Sequence, residues 1–131
     1  MSKIEEYAEE FSWLDSDERL MHLIDLAKNA TTLPEALRTE DRKVNGCISQ
    51  IWVDAGVVDD VAQVYYDSDA MITKGITRVV CDCFSNIPVE EAKAIQKEDF
   101  EKLGIKELLS VQRRNGLGSL INNIQRRVSI L

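Results

Sequence analysis

The periodicity of the chain changes at one place, and that change constrains the fold more than any other feature. Residues 47–53 and 61–66 are rich in β-branched and aromatic side chains, and Asp54-Ala55-Gly56 between them carries a turn signal, so the segment predicts an antiparallel hairpin. Helical patterns flank it on both sides. Upstream, Ser2 and Glu5 have capping-box spacing ahead of Ile4, Tyr7, Ala8 and Phe11. The N-cap cluster Asp15-Ser16-Asp17 then precedes a stripe of Leu20, Leu23, Ile24 and Ala27, which predicts a longer helix ending near Asn29. From Pro34 the period is lost, and the polar stretch 38–43 reads as a loop that finishes in the turn pair Asn45-Gly46.

Downstream of the hairpin, Asp67-Ser68-Asp69 supplies N-cap oxygens for a helix predicted over about residues 70–84. Its Ile72, Ile76, Val79 and Cys83 fall within about 60° of one another at about 100° per residue. Pro88 followed by Glu90 and Glu91 predicts a short helix with proline at its first position. Gly104 stops a further helical piece holding Phe100 and Leu103. Ser110 caps a last helix with the stripe Leu117, Leu120, Ile121, Ile124 and Val128.

A chain of 131 residues, 44% apolar and 30% charged, has material for one core, so residues 1–131 read as a single domain and disorder is excluded. No window approaches the ~20 apolar residues that cross a bilayer, and the N-terminus lacks the apolar region of a signal peptide. The expectation is a cytoplasmic protein without a membrane partner. A net charge of −7, from 16 basic and 23 acidic residues, argues against nucleic acid as a partner. The charge is uneven: residues 1–25 hold eight acids and two bases (net −6), whereas residues 110–131 hold Arg113, Arg114, Arg126 and Arg127 and no acid (net +4). Such polarity either steers a partner or leaves two solvated faces that attract each other weakly.

Three cysteines, at 47, 81 and 83, are free thiols in a reducing compartment. Cys81 and Cys83, two apart on a predicted helix, diverge by about 160° and cannot chelate one metal while the helix holds. Cys83 shares the apolar stripe, where a cysteine acts as a small hydrophobe. Cys47 differs, following Asn45-Gly46 where a polar loop enters the first predicted strand, a place that suits either a reachable thiol or ordinary packing. At the usual thiol pKa only about 3% is thiolate at pH 7, and one cationic neighbour that lowered it by a unit would raise that to roughly a quarter. Arg42 and Lys43 share the loop. Arg113 lies at about 320° from Leu117 on the last helix, inside the apolar stripe, where either a carboxylate or the thiol region holds it or its stem snorkels over the core. No phosphate loop is present, His22 lacks a nucleophile at recognisable spacing and reads as a surface residue, and Asp67 and Asp69 serve most simply as helix caps.

Three motifs in order carry a resemblance to a known family. They are Val44-Asn45-Gly46-Cys47-Ile48-Ser49-Gln50-Ile51-Trp52, then Asp67-Ser68-Asp69-Ala70 running to Lys74-Gly75, then Arg113-Arg114-Asn115-Gly116-Leu117. From about residue 13 to residue 127 the chain resembles the SufE family, the sulfur-acceptor partners of cysteine desulfurases in iron–sulfur cluster assembly. The resemblance implies an α+β fold, a small antiparallel sheet with helices packed on it, similar to the iron–sulfur scaffold proteins.

It further implies that Cys47 takes the outer sulfur of a desulfurase persulfide and passes it to an iron–sulfur scaffold complex. The pyridoxal phosphate chemistry would belong to a SufS-type partner, with no cofactor bound here. By the same resemblance Arg113 supports the thiolate or its loop, and Asn45, Gly46, Asp67, Asp69 and Lys74 support the loop or bind the partner. Departures from the family pattern are Ile87 before Pro88, Val111 after Ser110, and the thiols of Cys81 and Cys83. Two rival readings are a metal- or cluster-binding scaffold that uses Cys47, and an interaction module with inert cysteines.

Overall fold

Both N-terminal helices begin where their capping chemistry directs. The Ser2 hydroxyl accepts from the Glu5 amide and Glu5 reaches back to Ser2, and Asp15 and Glu18 form the same reciprocal pair. In the computed structural model, which describes residues 2–28, 30, 32–47 and 49–131, these boxes open α1 (Lys3–Ser12) and α2 (Ser16–Ala27). The expected end of α2 near Asn29 falls on a residue outside the described ones. There follow β1 (Ile51–Val58), β2 (Val61–Ser68), α3 (Met71–Phe84), β3 (Ile87–Pro88), α4 (Val89–Ala94) and α5 (Val111–Ser129). Short 3-10 segments occupy Glu35–Leu37, Glu40–Arg42, Lys97–Leu103 and Lys106–Leu108.

The fold is α+β, a three-stranded antiparallel sheet in the order β1-β2-β3 with helices packed on it. The hairpin forms, but its turn sits elsewhere than Asp54-Ala55-Gly56. Those residues lie inside β1 opposite Tyr65, Val64 and Gln63, and Val58 pairs with Val61 across a two-residue loop of Asp59 and Asp60. Both aspartates have positive φ, 52° and 65°, the primed-turn geometry whose twist matches that of the flanking strands. Aspartate tolerates this region better than most residues, so Asp-Asp takes the role that Asn-Gly or Asp-Gly commonly fills. The first strand also starts at Ile51 rather than at Cys47, which leaves the cysteine in a loop.

The third strand is two residues long, and Pro88 pairs with Val61 there while standing just before α4, one position earlier than its spacing suggested. A second correction concerns α3. Its N-cap is Ala70, whose methyl side chain has no acceptor, and the Asp67 and Asp69 carboxylates are engaged elsewhere.

The core gathers where α3 packs on β2 and α2 while α5 packs on β1 and α3. Phe11, Leu23, Val53, Ala62, Val79, Phe84, Ile124 and Val128 are wholly buried in it. The approach of α2 and α3 is limited by backbone alone: a Cβ on Gly75 would lie 2.0 Å from the Leu23 carbonyl oxygen, so only glycine fits. Gly104, expected to stop a helical piece, has φ 64° and ends the segment Lys97–Leu103. Arg19 ties that end to α1 by donating to the carbonyls of Gly104, Phe11 and Leu14.

Candidate functional site

Cys47 belongs to a short loop pinched at its base and held on both flanks. The Val44 amide donates to the Ile51 carbonyl at 2.8 Å, and Lys43 bridges to Trp52, so Asn45, Gly46 and Cys47 lead away from that base as a tip. Asn45 and Gly46 are exposed on that tip, and Gly46 turns it with φ 87°.

On one flank the tip rests on α5. A Cβ on Gly46 would come within 2.8 Å of the Ser119 hydroxyl, and a Cβ on Gly116 would lie 3.4 Å from the Cys47 sulfur. The absence of a side chain at Gly46 lets the loop seat on the helix, while at Gly116 there is room for a Cβ in ordinary contact with the sulfur but for nothing larger. The thiol donates a weak hydrogen bond to the Gly116 carbonyl at 3.5 Å.

On the other flank the loop is clamped to the end of β2 and the start of α3. The Gln50 amide donates to Asp69 Oδ1 at 3.0 Å, Ser68 Oγ donates to the Gln50 carbonyl at 2.8 Å, and Thr73 Oγ1 donates to Ser49 Oγ at 3.3 Å. Asp69 thus holds the cysteine loop instead of capping α3. Asp67, almost fully buried, lies between two cations, Arg38 at 2.6 Å and Lys74 at 3.3 Å, and the Arg38 guanidinium also stands over the Trp52 ring. Burial of a carboxylate is tolerated only with such compensation. The triad joins β2, α3 and the segment before the loop, and Arg38 was passed over in the sequence as part of an aperiodic polar stretch.

The thiol opens onto a cavity of about 270 Å³ lined among others by Ser49, Ile51, Thr73, Ile76 and Arg113. Arg113 is exposed there rather than tucked into the apolar stripe. It precedes Gly116, the first buried position of α5, so the first turn overhangs the core and leaves its head at the cavity wall. Among the described residues it forms no ion pair.

No cation lowers the Cys47 pKa in this state; burial alone acts on it and pushes it up, because the anion loses more by desolvation than the thiol does. Arg42, one of the cations the sequence offered, is taken by Asp54 at 2.8 Å and by Thr39.

Cys81 and Cys83 are buried within α3. Burial, with Asp82 beside it, pushes the Cys83 thiol up to about 12, and the same two causes raise Cys81 well above the ordinary thiol range. Among the described residues no three His, Cys, Asp or Glu side chains are grouped to hold a metal ion, which leaves the scaffold alternative without a ligand set there. Among the described residues no helix is long and apolar enough to cross a membrane. His22, at intermediate burial, pairs with Glu10 and meets Phe11 edge-on. Gly116 and Ser119 were not singled out in the sequence for the loop seat; a glycine inside an amphipathic stripe was the available signal.

Comparisons with known proteins bear on the family and the fold. A SufE family model, described as an Fe-S metabolism associated domain, matches residues 5–128. An uncharacterized SufE-like protein of Rhizobium meliloti is 35% identical over 131 residues, covering 95% of this chain and 94% of that protein. The SufE-like protein 1, chloroplastic/mitochondrial, of Arabidopsis thaliana is 36% identical over 102 residues, 76% of this chain and 27% of the plant protein. The solution structure of a hypothetical protein from Thermus thermophilus superposes with a TM-score of 0.82 at 19% identity, over 99% of this chain and 97% of that one, a likeness of fold. With the family pattern running through nearly all of its residues, the chain belongs to the SufE family, whose domain is associated with iron–sulfur metabolism.

Proposed function

We propose that the chain is a sulfur acceptor and activator of a SufS-type cysteine desulfurase, carrying sulfur as a persulfide on Cys47 to an iron–sulfur scaffold complex. The observation that carries this reading is the contrast among the three thiols: two are entombed in α3, and the third sits half-buried on a clamped tip above its own cavity.

The chemistry is thiol–disulfide exchange. The Cys47 thiolate attacks the outer sulfur of the donor's cysteine persulfide, a new sulfur–sulfur bond forms on Cys47, and the donor's cysteine leaves as thiolate and takes up the proton that Cys47 lost. Donor and acceptor exchange one sulfur atom at constant overall oxidation state. A resolving thiol would discharge the cargo, and the burial of Cys81 and Cys83 keeps both away. The cavity, at about 270 Å³, is several times the roughly 30 Å³ share of a water-sized group, so an added sulfur fits without expelling the loop.

In the seated loop the thiol is poorly ionised, so the resting protein is a weak nucleophile and is protected from oxidation. Attack requires the loop to leave Gly116, which relieves the desolvation, while Arg113 at the wall supplies positive charge to the anion. Incubation with a desulfurase and L-cysteine should add the mass of one sulfur atom to the peptide containing Cys47. Cys47→Ser should abolish both that gain and the stimulation of desulfurase turnover. Undiminished stimulation by the serine variant would reject the reading.

A further inference from the structure

Behind the loop seat, α5 bounds a second cleft, of about 570 Å³, and its charge is one-sided. Lys97, Lys106 and Arg114 line it with Asn115, Ser119 and Asn122 between them, and no acidic side chain lines it. Among the described residues Lys97 and Arg114 form no ion pair, and Lys106 meets only the exposed Glu101, at 3.2 Å. In a chain of net −7, three cations lining one concavity, two of them outside any ion pair among the described residues, are a local departure from the charge of the whole.

The cleft is contiguous with the thiol site. Ser119 lines it and also backs Gly46, and the neighbours Arg113 and Arg114 line the thiol cavity and the cleft respectively. We propose that this cationic cleft docks an acidic segment of the protein that delivers sulfur to Cys47, an inference that rests on the acceptor reading above.

Three observations favour an acidic protein segment over other anions. A donor that brings a persulfide to bonding distance of Cys47 must cover the mouth of the thiol cavity, and its surface then extends onto the adjoining face of α5. A nucleic acid would meet a chain of net −7, which repels a long polyanion. The cleft is also a bounded hollow rather than a stripe, and cations around a concave low-dielectric wall focus their field on a partner of opposite sign and raise its capture rate.

The test is a charge reversal in the full chain, Lys97→Glu with Arg114→Glu, against Lys93→Glu with Arg126→Glu, which makes the same change in net charge outside the cleft. The readouts are the half-saturating concentration for stimulating the desulfurase at low ionic strength, and the persulfide on Cys47 at saturation. The cleft pair should raise half-saturation about tenfold or more while persulfide still forms at saturation, with the difference shrinking as salt is added. The control pair should shift it less than about threefold. Lys97→Gln with Arg114→Gln, which only neutralises, should move it in the same direction by a smaller factor, and thermal melts confirm folding.

Equal shifts in both charge-reversed pairs, or none in either, overturn the docking site. A wild-type chain that takes up no sulfur overturns the acceptor reading instead, so the two failures are distinguishable.

Discussion

Replacing Gly116 probes the seat of the cysteine loop directly. A Cβ there would stand 3.4 Å from the Cys47 sulfur and 3.7 Å from its Cβ, which is ordinary contact, so Gly116→Ala should leave the loop in place and gain about 1 kcal/mol of helix propensity. Gly116→Val adds methyl groups reaching about 1.5 Å further from that Cβ, into the space the sulfur occupies, and overpacking of this kind costs about 1–3 kcal/mol. On the α5 side the loop is held by one weak thiol bond, whereas Gly116 sits in a buried helix, so this flank of the loop is what yields.

A shift of 1–3 kcal/mol in the seated-to-open equilibrium corresponds to roughly 5- to 150-fold in the open population. Alkylation of Cys47 by iodoacetamide, measured on folded protein at pH 7, should therefore accelerate by at least about fivefold in the valine variant and by less than about twofold in the alanine variant. The pH midpoint of the reaction should also fall in the valine variant toward that of an ordinary thiol, since opening removes the burial that raises it. An unchanged rate in a valine variant of normal melting temperature, or equal acceleration by alanine, would refute the steric account.

Arg113→Ala should slow sulfur acceptance by Cys47 more than Arg126→Ala does, because only Arg113 lines the thiol cavity; equal rates would remove it from the site. Asp67→Asn leaves Arg38 and Lys74 facing a neutral partner at a buried position, and urea unfolding should show a loss of about 3 kcal/mol, against a few tenths if the triad is dispensable. Cys83 predicts alkaline lability. Its folded pKa of about 12 lies above that of an ordinary thiol, so its contribution is fully present below about pH 8.5 and is lost as pH rises toward 12. Denaturant midpoints between pH 8.5 and 10 should fall more steeply in the wild type than in Cys83→Val, and parallel slopes would contradict the burial argument.

Local chemistry was legible wherever neighbours in sequence decide it. The capping box of α1, the N-cap cluster of α2, the Gly104 stop and the buried face of α5 all depend on residues close in the chain, and they appear as read. The resemblance also led to Cys47, and the thiol is the accessible one of the three. The hairpin turn was misread because Gly56 resembles a turn glycine, whereas cross-strand pairing carries β1 two residues beyond it and closes on Asp59 and Asp60. Asp67 and Asp69 looked like caps since an aspartate before a helix usually is one; their true partners, Arg38 and Gln50, are distant in the chain.

The amino-acid sequence by itself determined the principal helices, the two strands that form the hairpin and, through a family motif, the candidate thiol, because propensity, capping and motif act over a few residues. Only the tertiary structure decided what that thiol experiences. Its seat on Gly116, its clamp through Ser68, Asp69 and Thr73, and the absence of a cation to ionise it all arise where segments far apart in sequence meet. Desolvation and contact depend on distance in space, and the order of residues alone does not specify those distances.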